Sequence, residues 1–145
     1  MKRYLYWLAA FVIILGTLLF CYKKLNENTI DIHPIFSEAE AAAKISGQSF
    51  ILIDAPSWCK DCVALHDLYK ATYQQNIDTA IKSVGGFHIM LKSNNCDDNP
   101  VEVNDLLSKC EIRNVPSLIV FKDGTFTVKT DISEVATTIF SATQQ

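Results

Sequence analysis

Three short stretches of the chain are nearly free of polar residues: Phe50–Ile53 (FILI), Phe87–Leu91 (FHIML) and Ser117–Lys122 (SLIVFK). Continuous apolar runs of this length are expected of strands covered on both faces. The third is followed by Asp123-Gly124 and then Thr125–Lys129, which predicts a tight hairpin and a returning strand. Between these runs the spacing turns helical. Ser37 and Glu40 have capping-box spacing before Ala39, Ala41, Ala42, Ala43 and Ile45, with Gly47 as the stop. Val63, Leu65, Leu68 and Tyr69 are spaced for one helix face, and a second helical piece from about Asn76 to Val84 ends at Gly85-Gly86. After the turn-rich loop Lys92–Asn99 (KSNNCDDN), Asn99, Pro100 and Glu102 together signal a helix start. That helix carries Val101, Val103, Leu106 and Leu107, with Cys110 near its end. Asp131 with Glu134 then caps a last helix through Val135, Ile139 and Phe140. The succession predicts one α/β domain: parallel strands joined through helices, plus an antiparallel edge from the hairpin.

The N-terminus follows a different pattern. Tyr4 to Tyr22 is 19 residues without a charge, long enough as a helix to reach ~28 Å, about the thickness of a bilayer's hydrocarbon core. Tyr4, Tyr6, Trp7 and Tyr22 stand at its ends, where amphipathic rings favour the headgroup level. A cleaved signal would have a shorter apolar core and small residues at the cleavage point, and a lipoprotein signal a small residue before the cysteine. Leu19, Phe20, Cys21 and Tyr22 supply neither. The expected organisation is a membrane anchor over 1–24, a polar linker over 25–34 and a folded domain over 35–145. Lys2 and Arg3 precede the run and Lys23 and Lys24 follow it, so flanking charge barely orients it. The short basic tail favours an N-terminus inside and a domain on the extracytoplasmic side. Residues 25–145 hold all 16 acidic residues and 9 of the 13 basic ones, a formal charge of −7. So acidic a domain has no electrostatic footprint for nucleic acid or anionic lipid.

Candidate chemistry lies in the cysteines. Of Cys21, Cys59, Cys62, Cys96 and Cys110, only Cys59 and Cys62 form a close pair, just after a buried strand and at the start of a helix. There the unpaired backbone N–H groups and the helix dipole favour an anion, so Cys59 is expected to ionise readily and attack, and Cys62, one turn on, to resolve. Lys60 adds to thiolate stabilisation and Asp61 opposes it. A structural zinc site would need a second close pair, whereas Cys96 and Cys110 are 14 residues apart, so no metal ligands are assigned. His66, four residues beyond Cys62, reads as a polar surface residue that could tune it, and His33 and His88 offer no constellation. Asp97-Asp98 reads as a solvated turn rather than a calcium loop.

The stretches Ser57-Trp58-Cys59-Lys60-Asp61-Cys62 and Asn114 to Gly124 (NVPSLIVFKDG), in this order, resemble the thioredoxin superfamily over about Ile35 to Ala142. The resemblance implies a thioredoxin fold, with Pro116 as a cis-proline facing the two cysteines, Val115 as backbone that pairs with a substrate chain, and Trp58 as the active-site tryptophan. It also implies a buried acid serving Cys62. Asp54 fills that place only with a loop one residue shorter, being five positions before Cys59 rather than six. Anchor, WCxxC and long loop together are similar to membrane-anchored periplasmic thioredoxins and the C-terminal domain of DsbD-type interchange proteins. The implied activity is thiol–disulfide exchange on exported proteins, without a cofactor beyond the cysteine pair. The implied partners are protein thiols and disulfides and a membrane-bound thiol donor. The alternative is a thioredoxin-like copper(I) carrier using the same pair. Cys96 and Cys110 are left as a structural disulfide, a second relay or two free thiols.

Overall fold

The computed structural model describes residues 34–145. The apolar run Tyr4–Tyr22 and the linker up to His33 lie outside the described residues. Among the described residues no helix is long and apolar enough to cross a membrane.

Helix α1 (Pro34–Ser46) leads into strand β1 (Gln48–Asp54), followed by α2 (Lys60–Tyr73), α3 (Ile77–Ser83) and β2 (Phe87–Met90). A 3-10 turn at Cys96–Asp98 precedes α4 (Val101–Lys109), β3 (Ser117–Lys122), β4 (Thr125–Lys129) and α5 (Ile132–Thr143). The four strands make one mixed sheet in the order β2-β1-β3-β4. β1 pairs parallel with β2, setting Leu52 opposite His88 and Asp54 opposite Met90, and antiparallel with β3, which pairs antiparallel with β4. The hairpin between them turns on Asp123 and Gly124, both at positive φ (54° and 75°), the backbone a two-residue turn of this hand requires.

Alternation along β1 divides the core in two. Ile51, Ile53 and Ala55 face Phe36 and Ala39 of α1 and Val103 and Leu106 of α4. Phe50 and Leu52 face Leu65 and Tyr69 of α2, Ile77 and Ile81 of α3, and Val135 and Ile139 of α5. The sheet thus lies between two helical layers, the mixed α/β sheet flanked by helices that the hydrophobic pattern and the resemblance both implied. Central β1 is buried along nearly its whole length, as an uninterrupted apolar run requires.

Four local expectations are corrected. Helix α1 begins at Pro34, inside the stretch taken as linker and before the Ser37 cap: proline at a first helical position lacks only an N–H that would go unpaired there. In α2 the buried line is Cys62, Leu65 and Tyr69, while Val63 and Leu68 are exposed; the helix is rotated so that Cys62, not Val63, faces the sheet. Pro100, not Asn99, occupies the N-cap of α4. The Asn99 side chain instead closes the preceding loop, accepting from Lys92 N–H and donating to the Ser93 and Asn95 carbonyls. The loop also contains a helical turn at Cys96–Asp98 that its turn-forming composition did not suggest.

Candidate active site

The turn from β1 into α2 places both cysteines. Trp58 and Cys59 N–H both donate to the Ala55 carbonyl (3.1 and 2.8 Å), folding the chain tightly before the helix. Cys59 is the helix N-cap in extended backbone conformation, and its Sγ accepts the Cys62 N–H at 3.1 Å. The cap role usually filled by a Ser or Asp oxygen is here filled by sulfur. The two cysteines form a disulfide with Cα atoms 5.3 Å apart. Cys59 is 8% exposed and Cys62 fully buried, with Ala55 N–H donating to Cys62 Sγ at 3.3 Å. Lys60 and Asp61 project from the exposed first turn of α2.

The second stretch meets the first across the sheet's end. The Val115–Pro116 peptide is cis, and the Val115 carbonyl oxygen lies 3.3 Å from Cys59 Sγ. Trp58, 41% exposed, borders a cavity of about 330 Å³ shared with Val115, Arg113, Ile112, Leu107 and Cys96. Its lining mixes buried or half-buried leucine, isoleucine and valine with the exposed Arg113 and Asn114.

Of the three alternatives for the remaining pair, the structure has two free thiols. Cys96 is exposed in the 3-10 turn, while Cys110, at the C-terminus of α4, packs in the core beneath α1. The Asn104 side chain holds the Cys96 carbonyl at 2.7 Å, fixing the turn on the outer side of α4. Burial pushes the Cys110 thiol up to about 11.

Behind the disulfide lies a polar cluster that the sequence reading missed. Asp54 ends β1 fully buried, and its two carboxylate oxygens meet His66 Nε2 at 2.5 Å and His88 Nε2 at 2.8 Å. His88 Nδ1 meets Asp78 of α3 at 2.8 Å, and Asp78 also accepts from Lys82 at 2.7 Å. Burial opposes a charge on His88, but its hydrogen bonds to Asp54 and Asp78 outweigh burial and set its pKa above the ordinary value. Hydrogen bonds from Lys82 and then His88 hold the Asp78 carboxyl below its usual range. The expectation that His88 belongs to no constellation is therefore corrected. A signal was available: a histidine within one buried run and an aspartate ending another must find polar partners. Asp54 immediately precedes the residue whose N–H meets Cys62 Sγ, and its own carboxylate is engaged by His66 and His88.

No family model matches the chain, and no curated protein matches it. Among solved structures, mitochondrial thioredoxin 3 of Saccharomyces cerevisiae in its oxidised form is similar at 16% identity, over 73% of this chain and 89% of its own, with a TM-score of 0.46. Thioredoxin O2 of Arabidopsis thaliana in the oxidised state is similar at 18% identity, over 76% and 88%, with a TM-score of 0.44. The oxidised thioredoxin of Plasmodium falciparum gives 18% identity, 72% and 89%, and 0.42. The case for function rests on this chain's own site.

Proposed function

We propose that the protein is a thiol–disulfide oxidoreductase in which Cys59 attacks and Cys62 resolves. One observation carries this reading. Cys59 Sγ stands at the N-terminus of a 14-residue helix, takes a backbone N–H, and belongs to the less buried cysteine of the disulfide, 8% exposed against 0% for Cys62. A thiolate there is stabilised by the same N–H and by the helix dipole.

The steps follow from that geometry. In the reduced protein, the Cys59 thiolate attacks one sulfur of a substrate disulfide. That bond breaks, a mixed disulfide forms on Cys59, and the released substrate thiolate takes up a proton. Cys62 then gives up its proton and attacks Cys59 Sγ. The Ala55 N–H, 3.3 Å from Cys62 Sγ, is placed to stabilise the thiolate this step needs. The mixed disulfide breaks, the second substrate sulfur leaves as a thiolate that is then protonated, and the Cys59–Cys62 disulfide closes. Two electrons have passed to the substrate, whose two protons match the one Cys62 gives up and one from solvent, and a thiol donor must return the electrons for another cycle. The cavity is lined by Trp58, the neighbour of Cys59, and by Val115, whose carbonyl oxygen is 3.3 Å from Cys59 Sγ, and its lining offers a substrate chain both apolar and polar contacts.

The proposal extends to location and partners. The uncharged run Tyr4–Tyr22 supports a membrane anchor, with the catalytic domain extracytoplasmic, acting on exported proteins and resupplied by a membrane-bound thiol donor. The chemical core is tested with a Cys62→Ser chain, which is expected to accumulate a mixed disulfide with a disulfide substrate through Cys59, mapped by mass spectrometry. Accumulation through Cys62 in a Cys59→Ser chain, with none in the reverse variant, would overturn the assignment.

A further inference from the structure

We infer that Asp54, His66 and His88 form a binding site for a divalent transition-metal ion of the zinc class, separate from the cysteine pair. Their ligand atoms, one from each residue, all lie within 4.8 Å of one another. They come from three elements, the end of β1, the second turn of α2 and the middle of β2, so the fold itself brings them together. Two imidazoles and one carboxylate are a donor set that zinc accepts, with a fourth position left for water.

Two details point to a cation. First, both histidines present Nε2 to the carboxylate, at 2.5 and 2.8 Å. These are N–H···O hydrogen-bond distances, so a proton lies on each line, and both rings direct Nε2, a nitrogen that can ligate a metal, at the same buried carboxylate. Second, His88 is held from behind: its Nδ1 meets Asp78, the arrangement in which a metal-binding imidazole donates its far N–H to a carboxylate and fixes Nε2 toward the ion. The two rings stand with centroids 6.1 Å apart, flanking the carboxylate.

The site is also graded in access. The side chains of Asp54 and His88 are 0% and 4% exposed, and that of His66 is 27% exposed. Ligand atoms in a tetrahedron with bonds of ~2.0–2.1 Å sit about 3.3 Å apart, so the contacts of 2.5 and 2.8 Å must open by about 0.5–0.8 Å. The half-buried His66 ring is the member nearest solvent, and its outward movement would open the path by which the ion and its water enter. The ion would replace the bridging protons, which are released on binding.

Cobalt(II) is the direct probe, added to the full chain in detergent with the Cys59–Cys62 disulfide closed. The expected result is 1:1 binding with visible ligand-field absorption, no thiolate-to-cobalt charge-transfer band, and displacement by zinc. His66→Gln should abolish the absorption, and Asp78→Asn, which removes the carboxylate behind His88 together with the exposed Lys82 pair, should weaken binding about 10–100-fold. Circular dichroism of each variant checks that it is folded. Zinc should raise the melting temperature of the parent chain, but not of His66→Gln, as expected for a ligand bound to the folded state. Three results would overturn the inference: no cobalt spectrum and no zinc-dependent shift in the parent chain, an unchanged spectrum in His66→Gln, or a charge-transfer band placing the ion on cysteine. The first would mean that protons alone bridge the cluster. None of these outcomes depends on whether the cysteine pair exchanges disulfides.

Discussion

Apart from the helix-cap position that Cys59 alone holds, Cys59 and Cys62 differ in burial, 8% exposed against fully buried. The same contrast separates the two remaining thiols of the domain. Cys110 is buried, with its pKa raised to about 11, so only about a thousandth of it is thiolate at pH 8. Cys96 is exposed. Iodoacetamide at pH 8 on the folded, oxidised chain is therefore expected to label Cys96 and spare Cys110 until denaturant is added, read by peptide mapping. Labelling of both at similar rates would contradict the packing of α4. Much of the site was legible at this scale, because Trp58 to Cys62 and Val115-Pro116 are local motifs whose meaning survives without a fold. His88 was not legible as a site residue. Its partner Asp54 is 34 residues away and is reached only through the parallel register that sets Leu52 opposite His88.

At the scale of elements, the strands were the most legible part. The runs Ser117–Lys122 and Thr125–Lys129 are strands with those same bounds, because β-branched and aromatic residues bounded by a two-residue turn leave few alternatives. Helix faces were harder. In α2 several apolar residues could have formed the inner line, and the disulfide's place beside the sheet selects Cys62, Leu65 and Tyr69 over Val63 and Leu68. The connection from α3 to β2 gives a stability prediction. A Cβ on Gly86 would lie 3.0 Å from the Ile81 carbonyl oxygen and 3.3 Å from that of Phe50, both backbone atoms that cannot swing away. Gly86→Ala is expected to destabilise the domain by about 1–3 kcal/mol, the usual range for overpacking, in urea unfolding followed by circular dichroism. An unchanged midpoint would mean that the helix end relaxes freely from the sheet.

For the whole molecule, the division of labour is between the described domain over 34–145 and the apolar N-terminus. Residues 25–145 alone are expected to be soluble and to unfold in one cooperative transition, since the described residues hold two core clusters, one on each face of the sheet. A fragment that binds hydrophobic dye and lacks a cooperative transition would move the boundary. Sidedness has its own test. Alkaline phosphatase fused after Gln145 folds actively only where its disulfides form, so the proposed extracytoplasmic domain predicts an active fusion. An inactive fusion, with a cytoplasmic reporter active at the same position, would place the cysteine pair inside and redirect the function toward a membrane-localised cytoplasmic reductant.

The central claim is that the Cys59–Cys62 pair carries out exchange on protein disulfides. The most direct measurement is the rate of insulin disulfide reduction by dithiothreitol with the full chain present. The account predicts clear catalysis by the parent chain, with multiple turnovers per molecule, and reduction to the uncatalysed rate in Cys59→Ser. A parent chain with no acceleration, or a Cys59→Ser chain as active as the parent, would contradict it.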